Sequence, residues 1–86
     1  MELFDLLGRR WAMRVIWELR HGPMTFRELQ SRAGGISSSV LAQRLAELRE
    51  AGIAAEGNEL TVDGEALLEA YRPLGDWARR WAARRG

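Results

Sequence analysis

Three features of the 86-residue chain predict a mainly α fold, a winged helix-turn-helix with a small two-stranded β-hairpin and a long C-terminal helix. A short helical pattern, a Gly34-Gly35 turn and a second amphipathic helix follow one another over about residues 25–51. A tight hairpin signal follows directly at about 53–62, and a single helical pattern then runs over about 62–84. No linker, repeat or low-complexity tract divides the chain, so residues 1–86 read as one domain.

The elements follow in order. Leu3, Phe4, Leu6 and Leu7 make a short apolar stripe that ends at Gly8. Residues 9–21, "RRWAMRVIWELRH", place Ala12, Val15, Ile16 and Leu19 at helical spacing, and Gly22-Pro23 stops the run. Trp11 and Trp17 fall on opposite sides of that helix, so one of them is expected to contact a partner or line a cavity. "TFREL" opens the next helix with a Thr-x-x-Glu capping box, Thr25 accepting from the third helical amide while Glu28 reaches back. After Gly34-Gly35, Ile36 enters the core and Ser37 caps the second helix.

On that helix Leu41, Leu45 and Leu48 share one buried face, and Ser39, Gln43, Ala46 and Glu50 lie opposite, with Arg44 and Ser38 on the flanks. "IAAEGNELTV" reads as two strands about a two-residue Gly57-Asn58 turn. From Thr61, a potential cap, the last helix carries Leu67, Tyr71, Leu74, Ala78 and Trp81 on one stripe, widened by Leu68, Ala70 and Trp77. Pro73 is expected to kink or interrupt it.

Charge is segregated although the net value is only +1. All thirteen basic residues are arginines, and residues 6–45 hold seven of them against two carboxylates, a net of +5. Residues 46–76 hold two arginines against eight acids, a net of −6. A near-neutral chain with a basic face suits a polyanionic partner, and double-stranded DNA is the one expected. With no cysteine, disulfides and thiolate metal sites are excluded, and the single His21 lacks companions for a metal site. No nucleophile elbow, phosphate loop or paired-carboxylate pocket stands out, so neither catalysis nor a cofactor is expected. The apolar runs are too short for a membrane span and the N-terminus is unlike a signal peptide, which leads to a cytoplasmic expectation.

The outward N-terminal face of the second helix is therefore the candidate DNA reader. Small serines permit close approach to phosphate, helped by the amides and dipole of the helix start, and Gln43 and Arg44 are long enough to reach base edges. Each residue also has a plainer role. Ser37 is sufficient as a cap, Ser38 and Ser39 as a solvated edge, and Arg44 as an ion-pair partner of Glu47 or Glu28. Thr25 and Arg27 are candidates for the DNA backbone, with capping and solvation as competing roles. Four tryptophans exceed what so small a core should hide. Trp77 and Trp81 are accordingly expected across a dimer interface, whose further candidates are Leu3, Phe4, Leu7, Tyr71, Leu74 and Ala78, with a cavity there as the place for a small apolar effector.

In order and spacing, "GRRWAMRVIWELRHGPMTFRELQ", "GISSSVLAQRLAELREAGI" and "LTVDGEALLEAYRPLGDWA" resemble the HxlR-type winged-helix transcriptional regulators, relatives of the MarR group, over roughly residues 3–78. The resemblance implies a homodimeric DNA-binding regulator with one recognition helix per subunit in the major groove. By position Trp11 matches the family's Trp after Gly-x-x, Ser37 its capping Ser, Gln43-Arg44 its Gln-Arg pair and Trp77 the late Trp of the dimerisation helix. Two departures are visible: the wing is short and flanked by Glu56 and Glu59, which opposes a minor-groove contact, and the absent cysteine excludes thiol-based sensing. The expected function is a sequence-specific regulator, a repressor acting on a two-fold-related operator. The alternative that the acidic wing raises is a protein-interaction module without DNA binding.

Overall fold

The computed structural model describes residues 2–85. It contains α1 (Leu3–Leu7), α2 (Ala12–Leu19), α3 (Phe26–Ala33), α4 (Ser38–Glu50), the antiparallel pair β1 (Ala54–Ala55) and β2 (Glu59–Leu60), and α5 (Val62–Arg85). The winged helix-turn-helix predicted from the sequence is the fold observed, with a long C-terminal helix.

One apolar cluster joins all the helices of the first half. Leu6 of α1, Val15, Ile16 and Leu19 of α2, Leu29 and Ala33 of α3, and Leu41, Leu45 and Leu48 of α4 are buried together with Ile36, Ile53 and Ala54. Each large aliphatic side chain removed from water here contributes roughly 1.5–3 kcal/mol. The Thr25 capping box forms at both ends, with the Glu28 amide 3.1 Å from Thr25 Oγ1 and the Thr25 amide donating to Glu28 Oε1 over 3.2 Å. Ser37 caps α4 by accepting from the Val40 amide at 3.2 Å. Between these helices Gly34 and Gly35 both take positive φ, 69° and 88°, a conformation that a side chain would strain.

Three local expectations are corrected. Trp11 is not part of α2. It precedes the helix in a left-handed conformation, φ 76°, a strained state for a bulky residue of order 1–3 kcal/mol. Its half-buried ring packs against the core and reaches the Gly34-Gly35 turn, offsetting that strain. The wing turns on three residues rather than two: Ala55 pairs with Glu59, the Asn58 amide bonds the Ala55 carbonyl at 3.1 Å, and Asn58, not Gly57, takes the left-handed position at φ 58°. That is the three-residue hairpin loop built on a turn followed by one αL residue, which asparagine tolerates. Finally, of the kink or interruption expected at Pro73, an interruption does not occur: α5 runs continuously from Val62 to Arg85.

Thr61 anchors the start of α5. Its hydroxyl accepts from the Gly64 amide at 3.0 Å and donates toward the Gly52 and Ile53 carbonyls. Only Gly64 and Leu68 of α5 are buried; beyond Tyr71 and Gly75 the helix leaves the body of the domain.

Candidate nucleic-acid interface

The α3–turn–α4 unit presents one end of α4 to solvent. Ser37, Ser38, Ser39 and Gln43 are exposed there, while Leu41, Leu45 and Leu48 hold the opposite face in the core. The first helical amides have no intrahelical acceptor, so this end offers free N–H groups together with the positive end of the helix dipole. Thr25 and Arg27 are exposed at the start of α3 and border a shallow depression with Glu28, Ser31 and Arg32. A carboxylate is thus part of this edge. The Thr25 amide and hydroxyl hold the Glu28 carboxyl below its ordinary value of 4.5, so it stays ionised and fastened to the cap.

The three serines are not equivalent. Ser37 is occupied by its cap and lies 3.4 Å from Ser39 Oγ. Ser38 accepts from the side-chain amide of Gln30 at 3.2 Å. Gln43 has no side-chain bond among the described residues and points outward.

Arg44 sits differently from its neighbours in this predicted set. Its side chain is only 12% exposed; Nε donates to the Arg10 carbonyl at 2.8 Å and a terminal nitrogen to Glu47 at 2.9 Å. Glu47 also pairs with Arg9 at 3.3 Å. The Arg44 side chain therefore ties α4 to the turn before α2 and is engaged away from the outward face. Its ion-pair role was one of the two that its flank position allowed.

The wing is clamped to the body. The Asn58 side chain donates to the Met24 carbonyl at 3.0 Å and accepts from Arg49 at 2.6 Å, and Met24 N donates to the Gly57 carbonyl at 3.2 Å. Glu56 stands out from the tip with its side chain 94% exposed, 3.8 Å from Arg49. A loop held this way and bearing an exposed carboxylate repels phosphate.

Two residues of this region escaped sequence reasoning. Gln30 bridges the end of α3 to Ile36 and Ser38, and Arg14 of α2 bonds the Arg32 carbonyl at 3.1 Å while pairing with Glu18. Neither has a motif around it. The only signal was that each lies on the polar side of a helix whose apolar side was already assigned.

The predicted pairing residues divide. Leu3, Phe4, Leu74, Trp77, Ala78 and Trp81 are exposed, Phe4 by 76%, whereas Leu7 and Tyr71 are half-buried against the core. Trp77 and Trp81 stack at 6.1 Å on the outer half of α5, and Arg85 lies over the Trp81 ring. Between α2 and α5 a groove of about 640 Å³ is lined by Met13, Trp17, Tyr71, Leu74, Gly75 and Ala78, with Arg72, Asp76 and Arg79 at its edge. Trp17 is the tryptophan that lines this groove, while Trp11 borders a more open depression with Leu7, Arg9, Arg10, Met13 and Arg14.

No helix among the described residues is long and apolar enough to cross a membrane, and those residues contain no cluster of potential metal ligands. A family model of HxlR-like helix-turn-helix proteins matches residues 6–85. The HTH-type transcriptional regulator YodB of Bacillus subtilis is 33% identical over 85 residues, 87% of this chain and 76% of YodB. The quinone-bound crystal structure of YodB superimposes with a TM-score of 0.83 at 35% identity, covering 90% of this chain and 91% of that one. A possible HxlR family transcriptional factor from Thermoplasma volcanium does so with a TM-score of 0.83 at 25% identity, over 96% and 84% of the two chains. The chain therefore belongs to the HxlR-like helix-turn-helix family of DNA-binding transcriptional regulators.

Proposed function

We propose that the chain acts as a homodimeric repressor that lays the N-terminal half of α4 in the major groove at each half of a two-fold-related operator. The observation that carries this reading is the exposed, uncharged end of α4, where Ser38, Ser39 and Gln43 project while Arg44 and the leucines hold the helix from behind. In this arrangement Gln43 reads a base edge, Ser38 and Ser39 approach the backbone, and Thr25 and Arg27 of α3 contact phosphates. Arg44 acts through the orientation of α4. The wing stays off the DNA because its tip is clamped and acidic.

Pairing is supported by the exposed apolar stripe of α1 and α5. Leu74, Trp77 and Trp81 are each 43–53% exposed on the outer half of α5, where an isolated helix is marginal in water. The α2–α5 groove beside that stripe suits a small apolar effector. Its lining of Met13, Trp17, Leu74 and Ala78 supports this, as does the quinone bound by the related YodB.

The test is a fluorescence-anisotropy titration against the DNA flanking the chain's own gene and against a scrambled duplex, at two salt concentrations, with sedimentation to report the oligomer. Tight, salt-sensitive binding that prefers the native flank is expected. Gln43→Ala should lose about 1–3 kcal/mol of that preference, and Arg27→Ala should weaken all sequences alike. Equal losses on both duplexes for Gln43→Ala would refute base reading. A folded dimer with no DNA affinity at low salt would instead assign this fold a protein partner.

A further inference from the structure

We propose that Gln30 is a positioning residue of the DNA interface, one that fixes the Ser38 hydroxyl as an outward hydrogen-bond donor to a DNA phosphate. The proposal rests on the reading that the N-terminal end of α4 meets DNA. Gln30 lies on the last turn of α3, partly buried, with its side-chain nitrogen 3.2 Å from the Ile36 carbonyl and 3.2 Å from Ser38 Oγ.

The Ile36 carbonyl can only accept. The amide of Gln30 must therefore turn its NH₂ group toward that carbonyl, because the opposite orientation would face two acceptors at each other. One amide hydrogen is used on Ile36 and the second meets Ser38 Oγ. A hydroxyl oxygen that accepts from this side cannot direct its own single hydrogen there, and Ser38 Oγ has no other side-chain partner among the described residues, so its O–H is free for an acceptor on the exposed side. Ser38 thereby keeps its one hydrogen for an acceptor outside, with one of its two lone pairs already used.

The other two serines lack this constraint. Ser37 accepts from the Val40 amide and shares a 3.4 Å contact with Ser39 in which either hydroxyl could donate. Phosphate is the acceptor that fits Ser38. The side chain is too short to reach far along a base edge, and it stands at the first turn of α4, where free amides and the helix dipole favour negative charge. A preset donor also avoids the loss of rotational freedom that a free hydroxyl would meet on binding.

A double-mutant cycle on DNA affinity tests this, using Ser38→Ala, Gln30→Met and the double variant against a random-sequence duplex and the native flank, with thermal melts to confirm folding. Ser38→Ala is expected to weaken both duplexes by about tenfold, the scale of one hydrogen bond to a charged group. Gln30→Met should weaken the unmodified protein by roughly threefold or more, yet change the Ser38→Ala protein by less than about twofold. Equal Gln30→Met losses in both backgrounds would show a merely structural role and overturn the proposal. So would a Ser38→Ala loss confined to the native flank, since that marks a base contact. If Ser38→Ala, Gln43→Ala and Arg27→Ala all kept full affinity, the interface reading itself would fall and take this assignment with it.

Discussion

Gly64→Ala is expected to destabilise the protein by about 2–4 kcal/mol, although alanine is the better helix former by roughly 0.5–1 kcal/mol. An ideal Cβ at this position would lie 2.1 Å from the Ile53 carbonyl oxygen, with Leu60 Cδ2 at 3.1 Å. Relief requires the start of α5 and the chain at Ile53 to separate by about 1 Å, and both are pinned. The Ile53 carbonyl accepts from the Thr61 amide at 3.0 Å and its hydroxyl at 3.2 Å, and the Ile53 amide donates to Leu48 at 2.8 Å. Overpacking against backbone costs roughly 1–3 kcal/mol or more, and loosening one or two of these bonds adds about 1 kcal/mol each. Urea denaturation at fixed protein concentration should show a midpoint lower by about 2 M with an unchanged slope. Gly75→Ala in the same helix meets only the Arg79 side chain, at 3.8 Å, and should instead gain about 0.5–1 kcal/mol. Unchanged or raised stability for Gly64→Ala would refute the close packing of α5 on Ile53.

Three further outcomes are expected. Arg44→Ala should cost about 1–3 kcal/mol, because it removes the bond to the Arg10 carbonyl and leaves the mostly buried Glu47 with Arg9 alone. In DNA titrations it should weaken all sequences alike, and a change of base preference would return Arg44 to the reading face. Glu28 is held below its ordinary value of 4.5, first by the Thr25 amide and then by its hydroxyl, so its stabilising contribution is complete above that value and is lost as pH falls through the lowered one. Acid unfolding followed by circular dichroism should show Glu28→Gln lacking this part of the pH dependence, and parallel curves would refute the role. The Tyr71 hydroxyl is inaccessible and unpartnered among the described residues, and burial pushes it up to about 12. Tyr71→Phe should leave stability unchanged or raise it by up to about 1 kcal/mol, and a clear loss would reveal an unrecognised partner.

Most of the fold was legible locally. Thr25 and Glu28, Ser37, the glycine pair and the leucine spacing of α4 each act over a few residues, so propensity, capping and periodicity reach them without knowledge of the rest of the chain. Pro73 shows the limit of that reasoning. It removes one amide from α5, but the long helix continues through it.

At the candidate site the sequence by itself determined which residue types stand at the end of α4 and which stripe is apolar, because both follow from a 100° step. Only the tertiary structure decided what each side chain does there. Arg44 and Gln43 are adjacent, yet one is drawn to the Arg10 carbonyl and Glu47 while the other faces solvent. Ser38 differs from Ser37 and Ser39 because Gln30, eight residues earlier, folds back beside it. Gly64 looks like a flaw in a helix until Ile53 is brought against it. These decisions rest on contacts between segments distant in the chain, and such contacts leave no periodicity in the sequence to read.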